Sequence, residues 1–329
     1  MHTIHEKSSC CRGKIRRFGN RRRQCVTCLK TWSVWKRKRG RKSKRIHLKF
    51  VKDYLEKGHS LLKINAKRNN VKVPAIRARL RNTLVCFNKR TKWLSIPEGN
   101  LIVIADAMIQ NINHKNYSIY FILLKGVETN KAIIIPPFIK EGGEGYLSWS
   151  LAFSKISKET LERVVALVSD GRSGLISIAK RKGWINQRCH FHLRYRIANY
   201  ARTGILARNN IAGRIKMLVD VTLTSHNKNT VHEALNKLII LKPEISSKGL
   251  KTVISGFIKK FDDYRTYLDY PDLNLPTTSN SIESLISSVR ELLYEAKGFR
   301  SIKSLNEWII ALLKHKRFIT CNGCNYQQN

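Results

Sequence analysis

The sequence predicts an α/β protein in which a sheet-bearing core is interrupted by a helical insertion and preceded by a strongly basic N-terminal region. Three observations carry this prediction. From residue 100 onward, short runs rich in Ile and Val alternate with segments of helical periodicity, the pattern of strands packed against helices. Residues 204–272 then read as helical almost throughout. Residues 1–99 show no such alternation and hold 30 Lys and Arg against four Asp and Glu, which is most of the excess behind a net charge of +41.

At the N-terminus, residues 1–45 form a basic, cysteine-bearing segment that ends in the charge run KRKRGRKSKR at 36–45, a linker or arm by composition. Cys25-x-x-Cys28 has the spacing of a metal knuckle, and tetrahedral zinc needs four ligands. The remaining donors are the adjacent pair Cys10 and Cys11, an awkward geometry for one ion, with His2, His5 or the terminal Cys321-x-x-Cys324 as alternatives. Reduced thiols without metal are the other reading. Trp32 and Trp35 suit packing, or stacking on bases.

Residues 46–95 predict three helices. His47–Glu56 places Leu48, Val51 and Leu55 on one face and ends at Gly58. Leu61–Arg68 is the second helix. Val73–Leu84 is the third, with Pro74 in its first turn, where the missing N–H costs nothing. Such a trio matches a helix-turn-helix, whose recognition helix lies in the major groove and would here present Arg77, Arg79 and Arg81. A solvated basic face on a helical packing unit is the alternative.

In the core, Asn100–Ala107, Tyr117–Leu124 and Lys131–Ile135 predict three strands. Ser157–Val168 predicts a helix that runs into a short strand near Ala166–Ser169. A helix over Ser173–Lys182, a strand over Asn186–His190 and a helix from Phe191 to Tyr200 follow. Three antiparallel strands followed by αβαβ is the order of the ribonuclease H fold. The predicted core therefore spans 96–203 as a first part. The insertion spans 204–272, and 273–329 supplies a closing helix, Asn280–Glu295, and a tail.

The charge implies a polyanionic partner, and nucleic acid is the first candidate because neutralising phosphates releases counterions. A spanning segment is excluded, since no run of about 20 apolar residues exists. MHTIHEKSSCC lacks an apolar signal region. The expectation is a soluble intracellular protein whose eight cysteines are thiols or metal ligands.

Phosphodiester chemistry needs charge neutralisation at the attacking and leaving oxygens, which two Mg²⁺ ions held by carboxylates supply. In so basic a chain, carboxylates at strand ends stand out. Asp106 follows LIVIA at the end of the first core strand. Asp170 follows the fourth strand in ALVSDGRSG. Glu283 lies on the closing helix in TTSNSIESLISSVRELL. Singly, an Asp at a strand end is more often a turn or cap residue; their joint placement on elements that meet is the stronger signal.

These segments, IADAMI, VSDGRSGLISIAKRKGW, RCHFH at 188–192 and TTSNSIESLISSVR, resemble the DDE transposases of prokaryotic insertion sequences, close to the group that includes the Mutator-like elements. The resemblance covers roughly residues 100–310. It implies a ribonuclease H-like core with a helical insertion and a metal triad of Asp106, Asp170 and Glu283 holding two Mg²⁺ or Mn²⁺ ions. Cys189 and His192 match the C-x-x-H element of that group, which implies a structural role or one flanking the metal ligands. Cys25, Cys28 and the following LKTW resemble the second knuckle of transposase zinc ribbons. Arg290, two turns beyond Glu283, is a candidate phosphate contact or a solvated surface residue.

The resemblance further implies double-stranded DNA partners, both element ends and target, a homodimer or higher multimer on DNA, no membrane, and a cytoplasmic, nucleoid-associated location in a prokaryotic host. Two rivals remain: an inactive transposase-derived DNA-binding protein, and a structure-specific nuclease without strand transfer.

Overall fold

Contacts divide the chain into two units, Met1–Ile46 and His47–Asn329. The computed structural model describes residues 10–19, 22–33, 48–58, 60–201, 211–296, 299 and 301–321. The charge run at 36–45, His2, His5, Trp35 and Cys324 lie outside the described residues.

The first unit is a three-stranded antiparallel sheet, β1 (Ile15–Arg17), β2 (Arg22–Cys25) and β3 (Thr31–Ser33). Gln24 ties it together: its Oε1 accepts from the Arg16 guanidinium and its Nε2 donates to the Leu29 carbonyl. Trp32 is half-buried on β3.

The second unit begins with three helices, α1 (Leu48–Lys57), α2 (Ser60–Arg68) and α3 (Val73–Arg90), with Pro74 in the first turn of α3. The predicted end of the third helix at Leu84 falls short by six residues. Ile76, Leu80, Leu84 and Phe87 continue one buried face, so the helix pattern does not stop there.

The sheet comprises β4 (Leu101–Ile112), β5 (Lys115–Gly126), β6 (Lys131–Ile134), β7 (Phe138–Glu141), β8 (Val164–Ser169), β9 (Ile185–Arg188) and β10 (Phe318–Thr320). Its order is β10-β6-β5-β4-β8-β9, with β7 on the far half of β5. The first four strands in that order are antiparallel, while β4, β8 and β9 run parallel. Between the strands lie α4 (Tyr146–Phe153), α5 (Lys158–Glu162), α6 (Ser173–Lys182) and α7 (His190–Ala201). The insertion contributes α8 (Ile211–Thr224), α9 (Lys228–Leu241), α10 (Lys248–Lys259) and α11 (Phe261–Asp269). Two further helices, α12 (Asn280–Glu295) and α13 (Ile302–Lys316), precede β10. The protein is thus a mixed α/β fold with a mixed sheet and many helices. Among the described residues, no helix is long and apolar enough to cross a membrane.

Several expectations need correction. The first core strand does not end at Ala107. It runs to Ile112 because a tight turn at Asn113 and His114, both with positive φ, zips it against β5. Asp106 is therefore inside β4 rather than at its end. The helix predicted over Ser157–Val168 stops at Glu162, and Val164–Ser169 is strand. Ala166, Leu167 and Val168 are wholly buried between β4 and β9, and a run buried on both faces has no period to tell strand from helix. The elements β7, α4, α13 and β10 were not expected. In α4, YLSWSLAF is apolar almost all round and so shows no amphipathic stripe, while β7 and β10 are short. The predicted C-terminal tail in fact holds α13, which shares a hydrophobic cluster with α1–α3 through Ala311 and Trp308, and β10, which pairs with β6.

Strand alternation sorts the core into two faces. Leu101, Val103 and Ala105 face α4 and α6, whereas Ile102, Ile104 and Met108 face α12 and α13. The insertion packs α7–α10 around Ile197, Ile215 and Phe257. It is also bonded to the sheet edge: Gln187 of β9 donates to the Tyr264 carbonyl and accepts from the Tyr267 N–H of α11.

Candidate metal centre

The period of two that buries Ile102 and Ile104 beneath α12 also puts Asp106 on that face. In β8, Ala166 and Val168 belong to the same face, so Asp170 is in phase with them. The parallel register pairs Ile104 with Val168 at the end of the β4–β8 ladder, and Asp170, just beyond it, is close enough to Asp106 to help raise its pKa. Glu283 lies in the first turn of α12, beside Ile282, which packs on this face. The helix dipole favours a carboxylate there.

The loop before α12 and the start of α7 lock this arrangement. Ser279, at the N-cap of α12, makes no side-chain cap bond and instead donates both its N–H and its hydroxyl to the Cys189 sulfur, each at 3.1 Å. The His190 N–H donates to the Thr277 carbonyl at 2.8 Å, and its Nε2 lies 2.6 Å from the Tyr264 carbonyl. Burial pushes His190 down to about 4, so it is neutral and its Nε2–H donates. Cys189 and His190 thus fix the start of α12, and with it Glu283.

His192 is the hub. Its Nε2 lies 3.0 Å from Glu283 Oε1 and 3.5 Å from Asp106 Oδ2, and its Nδ1 is 3.4 Å from the Ser279 hydroxyl. Burial alone would lower its pKa, but Cys189, Glu283 and Asp106 outweigh burial and raise it to about 11. Burial raises Asp106 to about 8: His192 opposes this, while Glu283 and Asp170 add to it. Glu283 is lowered, chiefly by its bond to His192. Burial would raise Cys189, but His192 and Ser279 hold it below the usual thiol value. A buried site that crowds carboxylates in this way favours a cation.

Asp106, His192 and Glu283 offer ligand atoms within 4.8 Å of one another and could hold a metal ion. His192, expected to stand beside the ligands, is inside this group. Asp170 is not: its Oδ1 accepts from the Arg172 N–H at 3.0 Å and its Oδ2 from Arg172 Nε at 3.1 Å. Each carboxylate oxygen has a second lone pair, so these bonds leave Asp170 able to take a ligand role.

Sequence reasoning missed Glu144, which forms an ion pair with Arg172 at 3.0 Å and accepts from Trp149 Nε1 at 2.9 Å. An acidic residue in a glycine-rich loop, EGGEG, reads as a turn, and its helix had no amphipathic signature. It also missed Arg188, whose guanidinium donates to the Gly171 carbonyl and leaves no room for a Cβ at that residue, where φ is +83°.

Arg77 and Arg81 are exposed and line a cleft with Leu292 and Trp308, whereas Arg79 is half-buried on another face of α3. Arg290 is exposed and close enough to Glu283 to help lower its pKa.

In the first unit, the four thiols of Cys10, Cys11, Cys25 and Cys28 converge within 4.8 Å. Cys10–Cys28 and Cys11–Cys25 are 3.2 Å apart, and Cys10–Cys11 3.9 Å. A zinc–sulfur bond of ~2.3 Å in a tetrahedron separates sulfurs by ~3.8 Å. The adjacent pair is therefore no obstacle. Arg12, in the left-handed region, turns the chain after it, and Gly13 is obligatory because a Cβ there would lie 2.2 Å from Thr27 Oγ1. His2, His5 and the C-terminal cysteines are not needed to complete the set. At Cys28 the Lys30 backbone N–H lowers the pKa, but the neighbouring thiols raise it to about 12. Cysteines packed this closely are suited to a metal that removes their protons.

A net charge of +41 suits a polyanionic partner, and beside it stands an Asp–His–Glu group that could hold a metal ion. The family model for transposases of the Mutator family matches residues 46–320, and the chain belongs to that family. The membership supports a transposase function and implies DNA binding. A comparison with curated proteins finds no match.

Proposed function

We propose that this protein is a DDE-type transposase that binds the ends of its element, cleaves DNA and joins the freed 3′-hydroxyl to target DNA. The observation that supports the reading is the parallel register of β4 and β8, which pairs Ile104 with Val168 and, continued by two residues, would bring Asp106 and Asp170 together on the face where α12 carries Glu283. The strand order and the crossing of α12 over the sheet agree with a ribonuclease H-like core of residues 96–203 and 273–329, split by the insertion at 204–272.

Asp106, Asp170 and Glu283 would hold two Mg²⁺ or Mn²⁺ ions; the oxygen-rich donor set and the raised pKa of Asp106 fit a hard divalent cation. Bound there, the ions supply charge neutralisation at the attacking and leaving oxygens. His192, with Cys189 and Ser279, keeps Glu283 and Asp106 in place. In the reaction, water adds to the phosphorus at the element end, and the bond to the 3′ oxygen breaks and leaves a 3′-hydroxyl. That hydroxyl then displaces a 3′ oxygen of the target strand, so one bond forms for each that breaks. Residues 46–95, with Arg77, Arg79 and Arg81, would grip DNA, Arg290 a phosphate nearer the centre, and Cys10, Cys11, Cys25 and Cys28 zinc. Joining two ends calls for a dimer or higher multimer, acting at the nucleoid.

The test is cleavage and joining of labelled duplexes that carry the DNA flanking the coding sequence, with Mg²⁺ or Mn²⁺, for wild type and Asp170→Asn. Metal-dependent joined products that vanish in the variant support the proposal. Cleavage without joining points to a nuclease. Binding with no cleavage by either protein, where a control transposase is active, points to a DNA-binding protein without catalysis.

A further inference from the structure

Glu144 is a fourth carboxylate at this end of the sheet, and the reaction above does not use it. Its side chain is only 6% exposed. Oε1 is fixed by Trp149 Nε1, itself fully buried, and a charge so enclosed is retained only when paired. Burial raises its pKa, while Trp149 and Arg172 oppose the rise. Its partner Arg172 is different in kind, with a side chain 58% exposed. Arg172 Nε lies 3.0 Å from Glu144 Oε2 and 3.1 Å from Asp170 Oδ2. Among the described residues, its Nη1 and Nη2 make no hydrogen bond. The Nε end of the guanidinium is therefore held between two carboxylates that share its one N–H, and Nη1 and Nη2 remain for another acceptor on a side chain more than half exposed. That pair of nitrogens is the fork that recognises phosphate through two parallel bonds. Once the Asp170 charge is shared with a cation, Arg172 and Glu144 remain as a neutral pair with its positive end outward.

We propose that Arg172 binds a DNA phosphate next to the reacting one, and that Glu144 is the positioning residue that aims it, acting through Arg172 and not on metal. The proposal rests on the reading of Asp106, Asp170 and Glu283 as the reaction centre.

The experiment uses the full chain as wild type, Glu144→Gln, Arg172→Ala, Arg172→Lys and the double variant Glu144→Gln/Arg172→Ala. Two quantities are measured: Mn²⁺ affinity of the protein alone by electron paramagnetic resonance, and affinity for a flanking-DNA duplex across a salt series. Gln keeps an acceptor for Trp149, and melting curves confirm that each variant folds. Arg172→Ala is expected to weaken duplex binding roughly tenfold and to reduce the salt slope by about one. Arg172→Lys keeps the slope but recovers little of the affinity, because it lacks the fork. Glu144→Gln weakens binding roughly three- to tenfold in the wild type and adds nothing in the Arg172→Ala background. Glu144→Gln leaves Mn²⁺ affinity within about twofold in both backgrounds. An Arg172→Ala protein with unchanged affinity and slope overturns the proposal. So does a Glu144→Gln protein that loses Mn²⁺ affinity in both backgrounds, which would make Glu144 a metal ligand. Asp170→Asn is the control for the underlying reading: Mn²⁺ binding equal to wild type in that variant would sink the reaction centre itself, independently of Arg172.

Discussion

Replacing Asp106 with Asn is expected to stabilise the protein while it removes the response to divalent metal. In the folded chain burial holds the Asp106 carboxyl up to about 8, against an ordinary value of 3.8. Between those values the native state keeps a proton that the unfolded chain has lost, so stability falls as pH rises across this window. At ~1.4 kcal/mol for each pH unit, the cost at pH 7 is about 4 kcal/mol, of which Asn would recover about 2–3 because His192 loses a contact at 3.5 Å. For a unit as long as His47–Asn329 that corresponds to a rise in Tm of roughly 3–5 °C. At pH 5 the cost of the proton falls to about 1.7 kcal/mol, no more than the lost His192 contact, so the gain should vanish there and grow toward pH 8. His192, raised from 6.5 to about 11, keeps a proton that the unfolded chain loses above pH 6.5, so it too makes stability fall with pH, but it does so in wild type and variant alike and drops out of the difference between them. Calorimetry in EDTA from pH 5 to 8 measures the effect, and a second series with Mn²⁺ should raise Tm of the wild type but not of the variant. An Asn variant that melts at or below the wild type at pH 8, or whose gain does not vary with pH, would refute the account of Asp106 as a buried, strained carboxyl.

Three further outcomes are expected. Cys189→Ala leaves the buried Ser279 N–H and hydroxyl without their acceptor and should destabilise by about 1–3 kcal/mol in denaturant titration, with Cys189→Ser recovering part of the loss. The purified chain should carry zinc on the four N-terminal thiols, detected by native mass spectrometry, and Cys10→Ser or Cys28→Ser should release it; a wild-type protein that takes up no zinc when reduced would dismiss the site. In a salt series, Arg77→Ala and Arg81→Ala should each lower the slope of DNA binding by about one, and Arg79→Ala, half-buried on another face, by less; equal effects from all three would count against the cleft they line as a DNA surface.

Much of the architecture was legible because local pattern and burial agree. The α6 and α12 helices have amphipathic faces, and β5 and β6 are Ile- and Leu-rich runs bounded by polar residues, so periodicity placed them within a residue or two. Where a segment is buried on both sides the pattern vanishes. That is why Val164–Ser169 was partly read as helix, whereas α4 went unseen because Leu147 and Leu151 make its exposed face apolar too. Asp106 and Asp170 were visible as acids that punctuate apolar runs, but Glu144 was hidden in a loop whose importance comes from Trp149 and Arg172, distant or inconspicuous in the chain.

The charge, the mixed α/β alternation, the acids that interrupt the apolar runs and the cysteine spacing were all readable before any fold, because each is a local property of composition or period. It takes the folded chain to bring Cys10 and Cys11 to the same point as Cys25 and Cys28, to stand His192 among the carboxylates, and to engage both Asp170 oxygens with Arg172. Those outcomes depend on strand register, on left-handed turns at single residues and on desolvation by elements far away in the chain, none of which a local pattern encodes.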